Sequence, residues 1–262
     1  MTEKILNIVK SVGIEDWGIC NFSVVSEKLL ECRAKSRLPQ NAKSILACIF
    51  PYKVKEQSPD KISRYAAVPD YHIVCQGYLD KAVTALKEKF PQNEFVPFID
   101  NSPIPEAYAA ACAGLGVLGE NGLLINQKYG SFVFIGEIVT DLSLPFGNNL
   151  RRCQNCGACK KVCPVGQNKA ECLSKISQKK GELAESERRL LFDNGIVWGC
   201  DICAEICPEN RNAQSTYIKE FISGYRNEFT MGEDISSRAY NWRGSGPVTR
   251  NASLFLNGDK RN

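Results

Sequence analysis

The chain has 262 residues, a formal net charge of +4 at pH 7, 44% hydrophobic and 24% charged residues. That is an ordinary globular composition with room for one large domain or two smaller ones, and no apolar run approaches the roughly 20 residues a membrane span needs. The mild positive charge permits a polyanionic substrate without demanding one. Met-Thr-Glu-Lys-Ile-Leu opens an amphipathic helix rather than a signal peptide. The thirteen cysteines are therefore read as thiols and metal ligands of a reducing cytoplasm, not as disulfides.

In chain order, residues 2–12 predict a helix closed by Gly13, and Asp16 to Phe22 a short strand. Ser26 is expected to cap a helix over 27–35. Ser44 to Phe50 is a continuous apolar run stopped by Pro51, which predicts a buried strand. Residues 52–63 are polar and loop-like. The next helix begins near His72, with a stripe of Ile73, Val74, Tyr78, Leu79, Ala82, Val83, Leu86 and Phe90. His72 is the sole histidine, which excludes a multi-histidine metal site; it is either a structural residue at a helix start or a substrate or cofactor contact. Phe95 to Ile99 predicts a strand ending at Asp100-Asn-Ser-Pro103, and Glu106 to Ala113 a small-residue helix. Four glycines at 114, 116, 119 and 122 signal unusual backbone or close approach. Leu123 to Asn126 and Ser131 to Thr140 read as a hairpin with Gly130 at its tip. Residues 1–142 thus form a mixed α+β body, with a linker at 143–149. The tail, 214–262, is expected to pack on the body, with two short helices. Cys20, Cys32, Cys48, Cys75 and Cys112 are expected to be mostly small buried hydrophobes.

The densest signal lies between 153 and 207. Cys153, Cys156, Cys159 and Cys163 follow C-x2-C-x2-C-x3-C-P, and Cys200, Cys203 and Cys207 follow C-x2-C-x3-C-P, with Cys172 between the runs. Eight thiols suffice for two 4Fe-4S clusters, and in two-cluster ferredoxins the fourth cysteine of such a run ligates the other cluster. The crossed arithmetic gives Cys153, Cys156 and Cys159 with Cys207, and Cys200 and Cys203 with Cys163 and Cys172. The alternative is a pair of four-cysteine zinc sites. The cluster module spans residues 143–213.

Taken in order, several pieces resemble the epoxyqueuosine reductase family. They are Arg64-Tyr65-Ala66 with Asp70-Tyr71-His72, Asp100-Asn-Ser-Pro103 with Glu106, and Ala113-Gly-Leu-Gly116 with Gly119-Glu-Asn121. Gly130-Ser131, Gly136-Glu137-Ile138 and the cysteines with Gly199-Cys-Asp-Ile-Cys203 complete the set. The resemblance implies a cobalamin-binding domain of nitroreductase-like or B12-processing type, followed by a ferredoxin-like double-cluster domain. It implies reductive removal of the epoxide oxygen of epoxyqueuosine in tRNA, with electrons from a ferredoxin- or flavodoxin-type donor. It makes Asp100 the proton donor, with a carboxyl raised toward neutrality; the plainer reading is that Asp100 caps the following helix. It places Tyr65, Ser174, Asp201 and Asp100 against the cofactor, and leaves cobalt without a protein histidine. The expected protein is a cytoplasmic monomer without membrane contact. Two departures weaken the tRNA assignment: family members continue into a helical-repeat domain where this short form ends, and Glu120 stands where the family has a cation. The alternatives are a cobalamin-dependent reductase of another small molecule, such as a dehalogenase, and a non-catalytic electron carrier.

Overall fold

A computed structural model describes residues 1–147 and 150–256. Asn148 and Asn149 of the expected linker lie outside the described residues, as do the last six. The chain forms two compact units, neither continuous in sequence. The first comprises Met1–Pro51, Tyr71–Asn155 and Asn212–Gln214; the second comprises Tyr52–Asp70, Cys156–Arg211 and the chain from Ser215.

The first unit is built on a four-stranded antiparallel sheet, β1 (Asp16–Asn21), β2 (Ser44–Pro51), β3 (Phe95–Ile99) and β6 (Val133–Thr140), in the order β1-β2-β6-β3. Every residue of β2 is buried, as its unbroken apolar run requires. Ile45, Phe98 and Val139 join Ala109 and Cys112 of the helix Glu106–Cys112 in one core. On the strand β6, Gly136 makes way for the helix Tyr71–Lys89: a Cβ there would come within 2.8 Å of Leu79 Cδ1.

Three local expectations are corrected. No helix spans 27–35; a single turn covers Ser23–Ser26 and a 3-10 turn Arg33–Arg37, because Leu30 N–H is drawn to the Pro103 carbonyl at 2.8 Å. The buried stripe of the helix Tyr71–Lys89 starts at Cys75, while Ile73 is 66% exposed. The hairpin dissolves as well. Asn126 and Gly130 close the expected turn, but β5 (Leu124–Ile125) pairs with β4 (Val117–Leu118), whereas β6 joins the main sheet. Gly116 permits that exchange, since a Cβ there would lie 2.3 Å from the Ile125 carbonyl oxygen.

The second unit gathers the segment 52–70, every cysteine of the two runs but Cys153, and the tail from Ser215, so the tail groups with those cysteines instead of the body. Its hub is Arg64, 4% exposed. The guanidinium donates to the carbonyls of Lys55 (2.5 Å) and Glu56 (2.7 Å) and pairs with Glu205 through Nε at 2.5 Å. A planar five-donor group is suited to tying a loop to a helix in this way. Trp198 packs on Tyr240 of the tail with ring centroids 5.4 Å apart. Asn251, in the helix Ser245–Leu256, donates to the carbonyls of Ser177 and Val197, each at 2.8 Å.

Gly199 is fixed twice over. Its φ is +70°, and a Cβ would fall 2.0 Å from Ser63 Oγ and 2.6 Å from Ser63 Cβ. Gly199→Ala should cost about 3 kcal/mol or more, a fall in melting temperature on the order of 10 °C. Gly195→Ala supplies the control: φ is +64° and the space is open, so only the left-handed penalty of about 1–2 kcal/mol applies. Equal thermal shifts for the two variants would show that the crowding against Ser63 does not matter.

Candidate functional site: a carboxyl–imidazole cavity and two cysteine runs

Within the first unit, four elements deliver polar groups to one region. Strand β3 ends at Ile99, and Asp100 turns the chain with φ of +56°, a conformation that Asp and Asn tolerate better than most side chains. His72, second residue of its helix, holds Asp100 Oδ2 through Nε2 at 3.0 Å. Tyr71 stacks on His72 and on Phe134, with centroids 4.1 Å apart in both pairs. Glu106 opens the next helix, and Glu137 stands in the middle of β6. Tyr71, Asp100, Glu106, Ser131 and Phe134 line a cavity of about 210 Å³.

The electrostatics invert the sequence expectation for Asp100. The hydrogen bond from His72 holds its carboxyl below the usual range, outweighing the burial that pushes the other way. Nor is Asp100 a helix cap: the N-cap of Glu106–Cys112 is Pro105, with no side-chain cap. Burial instead raises its neighbours. Glu106 is pushed up to about 8 by burial and then by the Asp100 charge. Glu137, wholly buried, is held well above the ordinary carboxyl range, chiefly by burial. A lone acid inside the apolar run Val133–Thr140 was the available signal for Glu137, and the strand reading passed over it.

Some of the cysteines of the two runs stand close to one another. The Cys207 thiol feels the fields of Cys156 and Cys159, from the other run, while Cys200 feels those of Cys203 and Cys172. Asn155 and Gly157, with φ of +52° and +72°, curl the first run. Cys153 belongs to the first unit, where its Sγ accepts the Glu120 N–H at 3.3 Å; amide bonds to cluster sulfurs tune a cluster. Among the described residues no three His, Cys, Asp or Glu side chains converge as on a single metal ion. A cubane, whose irons take one thiolate each at separate corners, asks for no such convergence. Cys20, Cys48, Cys75 and Cys112 are buried and Cys32 partly so.

Of the other expected cofactor residues, Tyr65, Ser174 and Asp201 all lie in the second unit. Tyr65 Oη accepts Trp198 Nε1 at 2.9 Å and Gln178 Nε2 at 3.5 Å, and Gln178 also reaches Ser174 Oγ at 3.3 Å. The Asp201 carboxylate is committed to the Arg64 N–H at 2.6 Å, and burial raises it to about 6. Gln178 was an organising residue that sequence reasoning missed, and Arg64 was named there only as part of the family resemblance, without this role. No helix among the described residues is long and apolar enough to cross a membrane.

A cavity holding a protonatable carboxyl pair, on a chain with two ferredoxin-spaced thiolate runs, defines an iron–sulfur oxidoreductase. The family described as "Epoxyqueuosine reductase QueG, DUF1730" matches residues 33–101. The epoxyqueuosine reductase of Leadbetterella byssophila is 32% identical over 78% of this chain and 71% of that one. That of Listeria monocytogenes is 29% identical over 98% of this chain and 80% of that one. An epoxyqueuosine reductase solved with an epoxyqueuosine-modified tRNA-Tyr stem loop shares the fold, with a TM-score of 0.82 at 23% identity over 97% of this chain and 80% of that one. The chain belongs to the epoxyqueuosine reductase family.

Proposed function

We propose that the chain reduces epoxyqueuosine to queuosine in tRNA, using two 4Fe-4S clusters and cobalamin. The observation that carries this reading is the Asp100–His72 couple at a cavity, on a family member with two ferredoxin-spaced cysteine runs. The relative solved with a modified stem loop supports tRNA as substrate. Cys153, Cys156, Cys159 and Cys207 would hold one cluster; Cys163, Cys172, Cys200 and Cys203 would hold the other. The cavity of about 210 Å³ admits a reacting group and not a corrin. A corrin needs further surface, and Tyr65, Ser174 and Asp201 of the second unit are the residues proposed to contribute to it. His72 is engaged by Asp100, in keeping with cobalt bound without a protein histidine.

When bound, the clusters and the corrinoid supply low-potential electrons to the epoxide. The protein's own part is to bind, orient and protonate. Tyr71 and Phe134 form an apolar stacked wall, and the Asp100–His72 pair carries a proton for the departing oxygen. The electron donor is a ferredoxin- or flavodoxin-type protein, the body is of nitroreductase-like or B12-processing type, and the chain works as a cytoplasmic monomer.

The test is anaerobic reconstitution with iron, sulfide and cobalamin, then incubation with a chemical reductant and an epoxyqueuosine-modified stem loop. A corrinoid spectrum and a product lighter by one oxygen are expected. Absence of corrinoid binding would leave an electron carrier. Binding without product would leave a reductase of another small molecule.

A further inference from the structure

The reaction proposed above consumes two protons. Both C–O bonds of the epoxide break, a C=C bond forms, and the oxygen leaves as water after taking two protons and two electrons, the electrons coming from the low-potential donor. The Asp100–His72 couple accounts for one proton. In the pose observed, the Asp100 side chain is 59% exposed and bound to His72, an arrangement that favours the ionised carboxylate. It must be recharged within each turnover.

Glu106 is the other acid on the cavity wall. Its Oε1 is buried and meets no hydrogen-bond partner. Glu137 is 0% exposed and close enough to Glu106 for the two charges to repel, with Ser102 as its hydrogen-bonding neighbour. Two buried carboxyls so placed, with an oxygen of Glu106 unmet, do not both carry charge; such a site tolerates the neutral acid. The other groups that bear on the pair are Asp100 and His72 at the cavity, Ser102 in the loop beside Glu137, and Cys48 and Cys20 in the sheet.

We propose that Glu106, backed by Glu137, is the proton-holding acid of the cavity, which passes its proton to Asp100 and so delivers the second proton of the reaction. Glu106–COOH and Asp100 carboxylate become Glu106 carboxylate and Asp100–COOH; Glu106 then regains a proton from water entering the cavity. The shifts set the resting state, Glu106 protonated by burial and the Asp100 charge, and Asp100 ionised through His72; transfer between them is uphill there and is drawn by the departing oxygen, a far stronger base than either carboxylate, which takes the proton from Asp100 as it arrives. The inference rests on the functional reading above.

The experiment has two arms on the full reconstituted chain. Infrared spectroscopy at pH 7 should show a protonated carboxylic C=O band that shifts in D2O and is lost or halved in both Glu106→Gln and Glu137→Gln, with iron content and circular dichroism retained. Single turnover of the modified stem loop should fall about a hundredfold in Glu106→Gln. The wild-type rate should decline as pH rises through about 8, because the acid form is lost, and that decline should vanish in the variant. If Glu106→Gln does not fold, Glu137→Gln is read in the same two arms, with loss of the band and a weakened alkaline decline expected. An active wild type with no such band, or a folded variant with unchanged rate and pH profile, overturns the proposal. An inactive wild type overturns the functional reading instead, and the proposal with it.

Discussion

Replacing Cys207 by alanine should lower bound iron from about eight to about four atoms per chain and abolish turnover. The reason lies in the exchange of partners proposed between the runs. Cys207 sits in the second run, but the thiols whose fields reach it are Cys156 and Cys159 of the first. Pairing makes a sharper statement than loss alone. Cys156→Ala combined with Cys207→Ala should cost no more iron than either change singly, because both strike one cluster. Cys172→Ala combined with Cys207→Ala should strip both clusters, since Cys172 stands with Cys200. Iron analysis with electron paramagnetic resonance of the reduced protein decides. If Cys156 and Cys207 changes add, each run holds its own cluster, and zinc in place of iron would remove the redox reading altogether.

Asp100→Asn should slow turnover by about 10²- to 10⁴-fold while cluster and corrinoid spectra stay as in the parent. Asn is the informative replacement because Asp100 occupies φ of +56°, and Asn accepts that left-handed backbone where alanine would add strain of its own. The variant keeps the shape and removes the transferable proton. His72→Asn is its companion. The bond from His72 is the largest influence lowering the Asp100 carboxyl, so losing it raises that carboxyl, keeps the donor protonated to higher pH, and moves the fall in rate that follows Asp100 ionisation to higher pH. Unchanged turnover in Asp100→Asn would reduce Asp100 to a turn residue, and an unmoved fall would mean that His72 does not set its charge.

Much of the first unit was legible. Ser44–Pro51 and Val133–Thr140 are long apolar runs whose burial leaves little choice but a central strand. Residues 27–35 failed because a capping serine and a few apolar positions are weak against one tertiary hydrogen bond, Leu30 to Pro103. The hairpin failed because a turn fixes two chain ends and not the partners of the strands that leave it. At the site, Asp100 was legible only through family resemblance, and its ionisation was misjudged because His72 is 28 residues away in sequence.

The sequence by itself determined the donor set: cysteine spacing is a local, covalent property, and it names iron–sulfur chemistry before any folding is considered. Tertiary structure alone decided which carboxyl holds a proton. Burial and neighbouring charge set ionisation, and those are conferred on Asp100, Glu106 and Glu137 only when a loop, a helix and a strand distant in the chain are brought together.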